Sequence, residues 1–255
     1  MVRPKKYLGQ HFLTDRNIAN RIVEALPLHT ERAVVEIGPG TGVLTGFLVE
    51  RKHDLWLVEI DAESVIHLKE HFPVLRGRIL EADFLRLNPQ QQWPQPLSII
   101  GNFPYNISSQ IFFKILESRQ QVLTVVCMIQ KEVADRLAAP PGSKTYGILS
   151  VLLQAWYTIE YLFKVPPGVF HPPPAVMSAV IRLTRNTREE LPCNEQSFVM
   201  VVKQAFNTRR KTLRNCLKSL PFRPGTLEQP LFDQRAEQLG VDEFVWITQQ
   251  LVPRS

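Results

Sequence analysis

The chain has 255 residues, of which 44% are hydrophobic, and its 30 Lys and Arg against 24 Asp and Glu give a formal net charge of +6. This length and composition predict one large or two modest folded domains and exclude an intrinsically disordered chain. No apolar run reaches the roughly 18 residues of a transmembrane helix, and the polar, basic N-terminus lacks the apolar core of a signal peptide. The positive charge is compatible with a polyanionic partner.

Cysteine and histidine show no disulfide or metal-binding pattern. The three cysteines, Cys127, Cys193 and Cys216, are odd in number and far apart. The six histidines have no paired-ligand spacing. We therefore expect a reducing, cytoplasmic location, no disulfide framework and no metal site.

The chain starts with a basic arm, residues 1–16, and continues into a unit typical of nucleotide-binding folds. A helix is predicted over residues 15–26. Residues 33–37 read as a buried strand, the GPGTG loop follows at 38–42, and residues 43–49 have helical spacing. Glycines in such a loop let the backbone pass close to a ligand, and the helix N-terminus after it favours a polar or anionic group.

Two carboxylates follow the next two predicted strands. Glu59 ends the strand at 54–60, about 20 residues after Gly38, the spacing at which a carboxylate binds a ribose diol. The alternative, that Glu59 only begins the next helix, is disfavoured by the glycine loop. After a helix at 63–71 and a strand at 77–80, Asp83 could accept a hydrogen bond from an adenine amine or could cap the next turn.

A buried strand at 97–100 breaks at a glycine into four residues of unusual type, Asn102, Phe103, Pro104 and Tyr105. Ligands of open α/β sheets collect at the carboxyl ends of strands. The Asn102 oxygen and a carbonyl near Phe103 can accept from the amine of a base, while the Tyr105 ring stacks on it. Taken alone, the stretch could also be a strand followed by a tight turn with an aromatic lid.

The next elements predict a mixed sheet. We expect helices at 108–117, 130–138 and 148–156, and strands at 122–128, 157–165 and 176–183. Because a short proline-rich loop without a helix joins the last two strands, they should be antiparallel. Phe170 in this loop is either a second ring for stacking on a base or a plug in the core.

Beyond a polar linker at 185–192, the pattern is helical. One helix is predicted over 197–220, where Arg210, Arg214 and Lys218 are four residues apart and share a face. This basic block also contains Arg209 and Lys211 and no acid, so it predicts a nucleic-acid contact; a solvated face is the alternative. Two shorter helices are expected at 233–239 and 242–251, around Gly240 as a C-cap. The predicted domains are therefore 1–185 and 186–255.

The glycine loop and the carboxylates fit a cofactor that contains a nucleoside. NAD would prefer GxGxxG for its pyrophosphate, whereas this chain has GxGxG and no obvious phosphate partner. S-adenosylmethionine has no phosphate, and acidic groups such as Glu36, Glu59 and Asp83 tolerate its sulfonium. Positioning of an adenine amine would then require no catalytic acid, metal or covalent nucleophile.

Seven blocks in order connect the chain to a known family: GQHFL, VVEIGPGTGVLT, VEID, EADFL, GNFPYNISS, VFHPPPAVMSAVIRL and AFNTRRKTLRNCLK. Over nearly its whole length the chain resembles the bacterial ribosomal RNA adenine dimethyltransferases. The resemblance implies a class I methyltransferase domain, Rossmann-like with a seven-stranded mixed sheet and an antiparallel last strand, followed by a small all-α domain. It also implies double methylation of two adjacent adenosines near the 3′ end of small-subunit rRNA, from S-adenosylmethionine, late in subunit assembly.

Carried over by position, the resemblance implies two sets of site residues, and the distribution of positive charge gives a third. Cofactor contacts fall on His11, Leu13, Gly38, Gly40, Glu59, Asp83 and Asn102. The target adenine would contact Asn102, Phe103, Pro104, Tyr105 and Phe170. Contacts to RNA are expected at Lys5, Lys6, Arg209, Arg210, Lys211, Arg214 and Lys218.

The chain departs from the family pattern at two of these places. His11 stands where the family usually has Asn, so we expect a weaker or pH-dependent cofactor contact. Ala175 stands where Lys is common, so one phosphate contact is expected to be missing.

Three other functions remain open from the sequence. An enzyme similar to the erythromycin-resistance methyltransferases would modify large-subunit rRNA, although the basic block AFNTRRKTLRN favours the small subunit. A non-catalytic RNA-binding assembly factor is disfavoured because no cofactor or target position is lost. A dehydrogenase is disfavoured by the glycine spacing. The expected partner is small-subunit rRNA in a precursor particle, and the expected state is a monomer.

Overall fold

The computed structural model describes residues 2–29, 31–51 and 54–252. Contacts divide the chain into two compact units, one of Met1–Ala134 with Thr158–Arg185 and the other of Asp135–Tyr157 with Asn186–Ser255. The sequence predicted a division at residue 185 alone. Residues 135–157 belong with the second unit because their helix packs on the helices near the C-terminus.

The strands of the described residues form one large sheet and one small ribbon. In chain order they are β1 Phe12–Leu13, β2 Ala33–Ile37, β3 Asp54–Glu59, β4 Ile79–Glu81, β5 Leu97–Asn102, β6 Val122–Gln130, β7 Tyr157–Val165, β8 Phe170–His171 and β9 Ser178–Arg185. The large sheet has seven strands in the order β4-β3-β2-β5-β6-β9-β7. Strands β2 to β6 pair in parallel, and β9 is antiparallel to β6, which confirms the predicted mixed sheet with an antiparallel last strand.

The helices of the described residues begin and end close to the predicted positions in the first unit. They are α1 Arg16–Glu24, α2 Thr45–Val49, α3 Ala62–His71, α4 Pro89–Gln92, α5 Ser108–Glu117, α6 Lys131–Ala138, α7 Ile148–Gln154, α8 Glu195–Asn207, α9 Leu213–Leu217 and α10 Val241–Gln249. Every helix falls short of the length and apolarity that crossing a membrane requires, within the part of the chain that the structure describes.

Strand β2 lies in the interior of the sheet, so the glycine loop that follows it lies near the middle of the sheet edge. All five residues of β2 are buried, as is usual for a central strand of a parallel sheet. Its neighbours β3 and β5 end at the same edge, because parallel strands share their direction. The loops that follow β2, β3 and β5 therefore lie side by side, and these loops carry the predicted cofactor and target residues.

The N-terminal arm is tied to the proline-rich loop after β7. Phe12 pairs with His171 and Leu13 with Phe170 in the antiparallel ribbon of β1 and β8. The backbone N–H and the hydroxyl of Thr14 both donate to the Val169 carbonyl, at 2.8 and 2.9 Å. The arm, predicted as a peripheral segment, is therefore part of the first unit; Met1 lies outside the described residues.

Three predictions for the C-terminal helices are wrong. The helix expected over 197–220 ends at Asn207, and α9 begins only at Leu213 after a turn, so Arg210 does not share a helical face with Arg214 and Lys218. The helix expected at 233–239 is replaced by the 3₁₀ helices Pro230–Asp233 and Ala236–Gln238. Gly240 precedes α10 and donates its N–H to Glu243 Oε2 at 3.0 Å, so it is an N-cap, not a C-cap.

Candidate active site

The loop after β2 passes unusually close to the N-terminal arm. Gly38, Gly40 and Gly42 have φ values of 65°, 56° and 80°, a region that residues with a Cβ rarely adopt. A Cβ on Gly40 would lie 2.7 Å from Cε1 of Phe12. Glycine is therefore required at this position both by the backbone angle and by the close approach.

Glu59 is a buried carboxylate held by backbone amides at the end of β3. Its Oε2 accepts from the Gly40 N–H at 3.0 Å and its Oε1 from the Asp61 N–H at 2.9 Å. Burial raises the pKa of the Glu59 carboxyl, and these backbone hydrogen bonds oppose the rise. A carboxylate offers about four lone-pair positions, so capacity to accept from a diol remains. Glu59 does not begin the next helix, since Asp61 is the N-cap of α3.

Of the two roles that the sequence left open for Asp83, the structure shows the cap, and the contact with an adenine amine stays a prediction. It is the N-cap of the 3₁₀ helix Phe84–Arg86, where its Oδ1 accepts from the Leu85 N–H at 3.0 Å. It also lines the cavity described below. The cap uses Oδ1, and Oδ2 lies 3.6 Å from Nε of the exposed Arg86 side chain.

Asn102 ends β5 with its amide oriented by the N-terminal arm. Its Nδ2 donates to the backbone carbonyl of His11 at 2.8 Å, which leaves Oδ1 as an acceptor. The Phe103 N–H donates to the Met128 carbonyl at 3.0 Å, and the Phe103 ring packs edge-on against Phe112 in the core. The ring of Phe103 is therefore structural, and the role of its backbone carbonyl as an acceptor stays a prediction.

The Tyr105 ring is held from two sides. It stacks on the His11 ring, with ring centroids 5.4 Å apart and planes at 28°. Its hydroxyl forms a short hydrogen bond with the Ser178 hydroxyl, and burial raises the pKa of the Tyr105 phenol. Nδ1 of His11 donates to the Pro172 carbonyl at 2.8 Å, so the stacked pair is also connected to the proline-rich loop.

The arm is also fastened by an ion pair beside Glu59. The Lys5 ammonium donates to Oδ1 of Asp61 and lies 3.7 Å from Oε2 of Glu63. Burial opposes ionisation of Asp61, but hydrogen bonds from Lys5 and Ser64 outweigh it and lower the pKa of this carboxyl. Lys5, expected to contact RNA, is therefore engaged within the chain.

These loops and the arm enclose a cavity of about 340 Å³, within the usual range for ligand sites of roughly 300–1,000 Å³. Of the residues predicted for the site, the cavity is lined by His11, Gly38, Gly40, Glu59, Asp83, Asn102, Phe103, Pro104 and Tyr105. Further lining residues that sequence reasoning missed include Tyr7, Gln10, Phe12, Ile60, Phe84, Asn106 and Gln110. Five of these are direct neighbours of residues predicted to contact the cofactor or the target adenine and could have been found from the pattern, namely Gln10, Phe12, Ile60, Phe84 and Asn106.

The chemistry of this lining fits a nucleoside that carries positive charge and no phosphate. Two carboxylates, Glu59 and Asp83, line the cavity, and among the described residues no Lys or Arg does. A pyrophosphate in this cavity would be repelled by the two carboxylates and would find no cation to pair with. The positively charged sulfonium would be attracted by the same carboxylates. The residues present therefore fit S-adenosylmethionine and do not fit NAD.

Residues 1–245 match the family described as ribosomal RNA adenine dimethylase. The chain belongs to this family. It is 56% identical to the ribosomal RNA small subunit methyltransferase A of Parabacteroides distasonis, over 97% of this chain and 94% of that protein. Membership in the dimethylase family confirms the resemblance found in the sequence, the methyltransferase class and the use of S-adenosylmethionine.

Solved structures show the same fold. A dimethyladenosine transferase from Plasmodium falciparum is 22% identical with a TM-score of 0.79, covering 93% of this chain and 96% of that one. The 23S rRNA methyltransferase ErmE is 27% identical with a TM-score of 0.72, covering 94% and 100%. The class I methyltransferase fold expected from the sequence is thereby confirmed for this dimethylase.

Two residues predicted for the dimethylase site are not at the cavity. Leu13 and Phe170, paired across β1 and β8, are 3% and 4% exposed and belong to the hydrophobic core. Of the two alternatives for Phe170, the structure favours the core plug. Its role as a second stacking ring stays a prediction that requires the ring to leave this position.

Some of the basic residues predicted to contact RNA have hydrogen-bond or ion-pair partners within the chain, and others form no ion pair among the described residues. Arg209 Nη2 donates to the carbonyls of Lys144 and, at 3.3 Å, Tyr146. Arg214 pairs with Asp233 Oδ1 at 2.9 Å and donates to the Leu227 carbonyl at 2.9 Å. Within the described residues, no ion pair involves the exposed side chains of Lys6, Arg210, Lys211 and Lys218.

Proposed function

We propose that the chain dimethylates the exocyclic amines of two adjacent adenosines near the 3′ end of small-subunit rRNA, using S-adenosylmethionine. The observation that carries this proposal is the Asn102 amide, whose nitrogen is held by the His11 carbonyl at 2.8 Å and whose oxygen is left as an acceptor in a cavity with two carboxylates. The small-subunit rRNA methyltransferase A of Parabacteroides distasonis supports the choice of substrate.

The cofactor would be held by groups from three loops. Glu59 would accept from the ribose hydroxyls and Asp83 from the adenine amine, and the Gly38–Gly42 backbone would leave room for the rest. Bound S-adenosylmethionine supplies an electrophilic methyl group on a positively charged sulfur. His11, Leu13 and Asn102 stay predictions as cofactor contacts.

Positioning of the target amine is the chemical work of the GNFPY turn. An adenine amine is a weak nucleophile because its lone pair is delocalised into the ring. Oδ1 of Asn102 and the Phe103 carbonyl would each accept a hydrogen bond from one N–H of the amine. These bonds would orient the nitrogen and stabilise the positive charge that develops on it. The Tyr105 ring would stack on the base, an interaction worth about 1–3 kcal/mol. Well-oriented reactants gain up to roughly 7–11 kcal/mol from positioning alone.

Exposed Lys and Arg side chains of both predicted domains would bind the phosphates of the RNA substrate. Residues 1–185 would form the catalytic domain, with Lys6 on its arm, and residues 186–255 an RNA-binding domain with Arg210, Lys211 and Lys218. We further propose that the particle is a precursor of the small subunit, that the protein acts as a monomer, and that it works in the cytoplasm.

The test is to incubate the protein with labelled S-adenosylmethionine and small subunits that lack the modification, and then to map the labelled nucleotides. We expect label on two adjacent adenosines near the 3′ end of the small-subunit rRNA, with up to two methyl groups each. Large subunits and subunits already methylated serve as controls. Label on large-subunit rRNA would favour the erythromycin-resistance type of enzyme, and binding without label would favour an assembly factor.

A further inference from the structure

Tyr7 is an aromatic side chain presented to solvent at the mouth of the cavity. It is 76% exposed, the largest value among the exposed large hydrophobic residues of the structure, and it lines the same cavity as Asn102 and Tyr105. No ring pair or side-chain hydrogen bond involves Tyr7 within the described residues. Exposure of so large an apolar surface beside a cavity that holds a base is what a stacking partner requires.

The backbone around Tyr7 is held in place, so the ring is not at the end of a loose tail. Tyr7 is the centre of the 3₁₀ helix Lys6–Leu8, which Gly9 terminates with a φ of 65°. Its carbonyl accepts from Asn106 Nδ2 at 3.4 Å. The ion pair of Lys5 with Asp61 fastens the residue before this turn.

Tyr7 shares the cavity with polar side chains and the arm with cations, and nucleic-acid recognition uses both kinds of group. The side chains of Asn106 and Gln110 are exposed and line the cavity, and an amide can read the edge of a base. Arg3 and Lys6 both precede Tyr7 on the arm and are exposed, and within residues 2–29, 31–51 and 54–252 neither side chain forms an ion pair. These two cations can contact phosphates of a strand whose base stacks on Tyr7.

We propose that Tyr7, with Gln110 and Asn106, forms a second nucleobase subsite, which stacks the base next to the target adenosine on the outer side of the cavity. This inference rests on the proposed function, because it takes the substrate to be RNA with one adenosine in the cavity. The ligand is an unpaired nucleotide of the same strand. Its capture orients the strand, so that the target amine approaches the Asn102 oxygen.

Closure over the cofactor is the competing role for Tyr7. In that role, substitution of Tyr7 would weaken binding of S-adenosylhomocysteine as much as binding of RNA. In the proposed role, binding of RNA weakens while cofactor affinity is unchanged. Calorimetry of the full chain with S-adenosylhomocysteine separates the two roles.

The experiment uses short single-stranded RNAs with two adjacent adenosines and 2-aminopurine on one flank or the other. Stacking of 2-aminopurine on an aromatic ring quenches its fluorescence. We expect quenching at one flank with the wild-type chain and with Tyr7→Phe, and loss of quenching with Tyr7→Leu, which keeps apolar bulk but has no ring. Affinity of Tyr7→Leu for RNA should fall by roughly 5- to 140-fold, the range that one base stack supplies.

Two further variants sharpen the result. Val74→Ala is the matched control, since Val74 is 74% exposed and does not line the cavity; it should keep both quenching and affinity. Gln110→Ala should keep quenching but reduce the affinity differences among probes that carry each of the four bases at the quenched flank.

The outcomes separate this inference from the proposed function. Quenching and affinity equal to wild type in Tyr7→Leu, or an equal loss of S-adenosylhomocysteine binding, would overturn the subsite even if small subunits are methylated. Conversely, if the wild type methylates nothing but Tyr7-dependent quenching is present, the subsite stands and the proposed function fails.

Discussion

At the scale of single residues, Asn102 shows how one side chain connects the fold to the chemistry. Its Nδ2 donates to the His11 carbonyl, a hydrogen bond between residues 91 positions apart in the chain. This bond decides which end of the amide is free to accept a hydrogen bond at the cavity, because the nitrogen is used and the oxygen is left. Removing the side chain should therefore affect catalysis more than folding.

We expect Asn102→Ala to lower the methylation rate by about 100-fold or more, the usual effect of removing one group that stabilises charge in a transition state. RNA affinity and the unfolding temperature should change little, because the backbone of β5 keeps its sheet partners. Initial rates with unmethylated small subunits measure the effect, and Asn17→Ala on an exposed turn of α1 is the control. Full activity of Asn102→Ala would contradict the role of the amide.

Glu36 is a second residue whose environment decides its chemistry. It is 1% exposed in the middle of β2, where Oε2 accepts from the Thr45 hydroxyl at 2.6 Å. Burial raises the pKa of its carboxyl to about 8 from the ordinary 4.5, with the Thr45 hydrogen bond opposing and the nearby Glu59 charge adding to the rise. The folded state therefore keeps the Glu36 proton at pH values where the unfolded chain has released it.

This shift predicts a stability that falls with pH. Between pH 4.5 and about 8 the folded state binds more protons than the unfolded state, so the free energy of unfolding decreases as pH rises and becomes level above that window. At about 1.4 kcal/mol per pKa unit the effect amounts to a few kcal/mol. Glu36→Gln, which still accepts from Thr45, should reduce the decline. Denaturant unfolding of both proteins from pH 5 to 9 checks this, and parallel curves would contradict it.

At the scale of elements, the N-terminal arm is held by tertiary contacts and not by its own secondary structure. Strand β1 has only two residues, fewer than an independent strand requires. Its position depends on pairing with β8, on the Asn102 and Lys5 hydrogen bonds, and on Phe12 packing over Gly40. Since the arm supplies one wall of the cavity, cofactor affinity should depend on this packing.

We expect Gly40→Ala to displace the arm, because alanine is disfavoured at a φ of 56° and its Cβ would lie 2.7 Å from the Phe12 ring. The free energy of unfolding should fall by at least about 1–2 kcal/mol, and affinity for S-adenosylhomocysteine should fall with it. Gly46→Ala in α2 is the matched control, since nothing lies within 4 Å of the added Cβ; it should be neutral or stabilise by up to about 1 kcal/mol. Thermal unfolding and calorimetry measure both.

Cleavage at the arm provides an independent readout of the same prediction. Trypsin should cut after Lys5 or Lys6 faster in Gly40→Ala than in Gly46→Ala or the wild type. Equal cleavage in all three proteins, with equal cofactor affinity, would show that Phe12 does not hold the arm.

The break between α8 and α9 explains why the long C-terminal helix was predicted wrongly. Leu213 and Leu217 continue the apolar spacing of α8 because they are buried as well. However, the chain turns after Asn207, and Gln204 Nε2 donates back to the Cys216 carbonyl at 3.1 Å. Apolar spacing reports burial, not continuity, so it cannot distinguish one long helix from two that pack together.

At the scale of the whole molecule, the net charge is +6, but not every basic residue is free to bind a polyanion. The basic block has no acid within it, but Asp233 comes from elsewhere in the chain and pairs with Arg214 at 2.9 Å. Arg210, Lys211 and Lys218 are exposed and, within the described residues, form no ion pair. These three cations are thus the better candidates for binding phosphates.

We expect Arg210→Ala, Lys211→Ala and Lys218→Ala together to weaken RNA binding and to reduce the slope of log affinity against log salt, by about 0.7–0.9 for each phosphate that the variant no longer neutralises. Arg214→Ala should instead lower the unfolding temperature and leave the slope nearly unchanged, because its guanidinium is engaged within the chain. Affinities measured over a salt series decide the matter. An unchanged slope in the triple variant would mean that this surface is only solvated.

Much of the site could be predicted from the sequence because its groups follow strands that are recognisable locally. The glycine loop, Glu59 and Asn102 each follow a run of buried strand residues, and Asp83 follows the short strand β4. Tyr7 and Gln110 could not be predicted, and the choice between the two alternatives for Phe170 could not be made, since each depends on which distant segment lies beside it. The engagement of Lys5 and Arg214 was hidden for the same reason: Asp61 and Asp233 are remote in the chain.

The sequence by itself determined the fold class and favoured S-adenosylmethionine, because these depend on local patterns: buried strands, a glycine loop and carboxylates near strand ends. The reaction followed from the resemblance of seven ordered blocks to the adenine dimethyltransferases. Only the tertiary structure decided which cations are free, which rings are exposed, where the C-terminal helices break and how the arm encloses the cavity. The physical reason is that a side chain's charge, exposure and orientation are set by neighbours in space, and those neighbours come from remote parts of the chain.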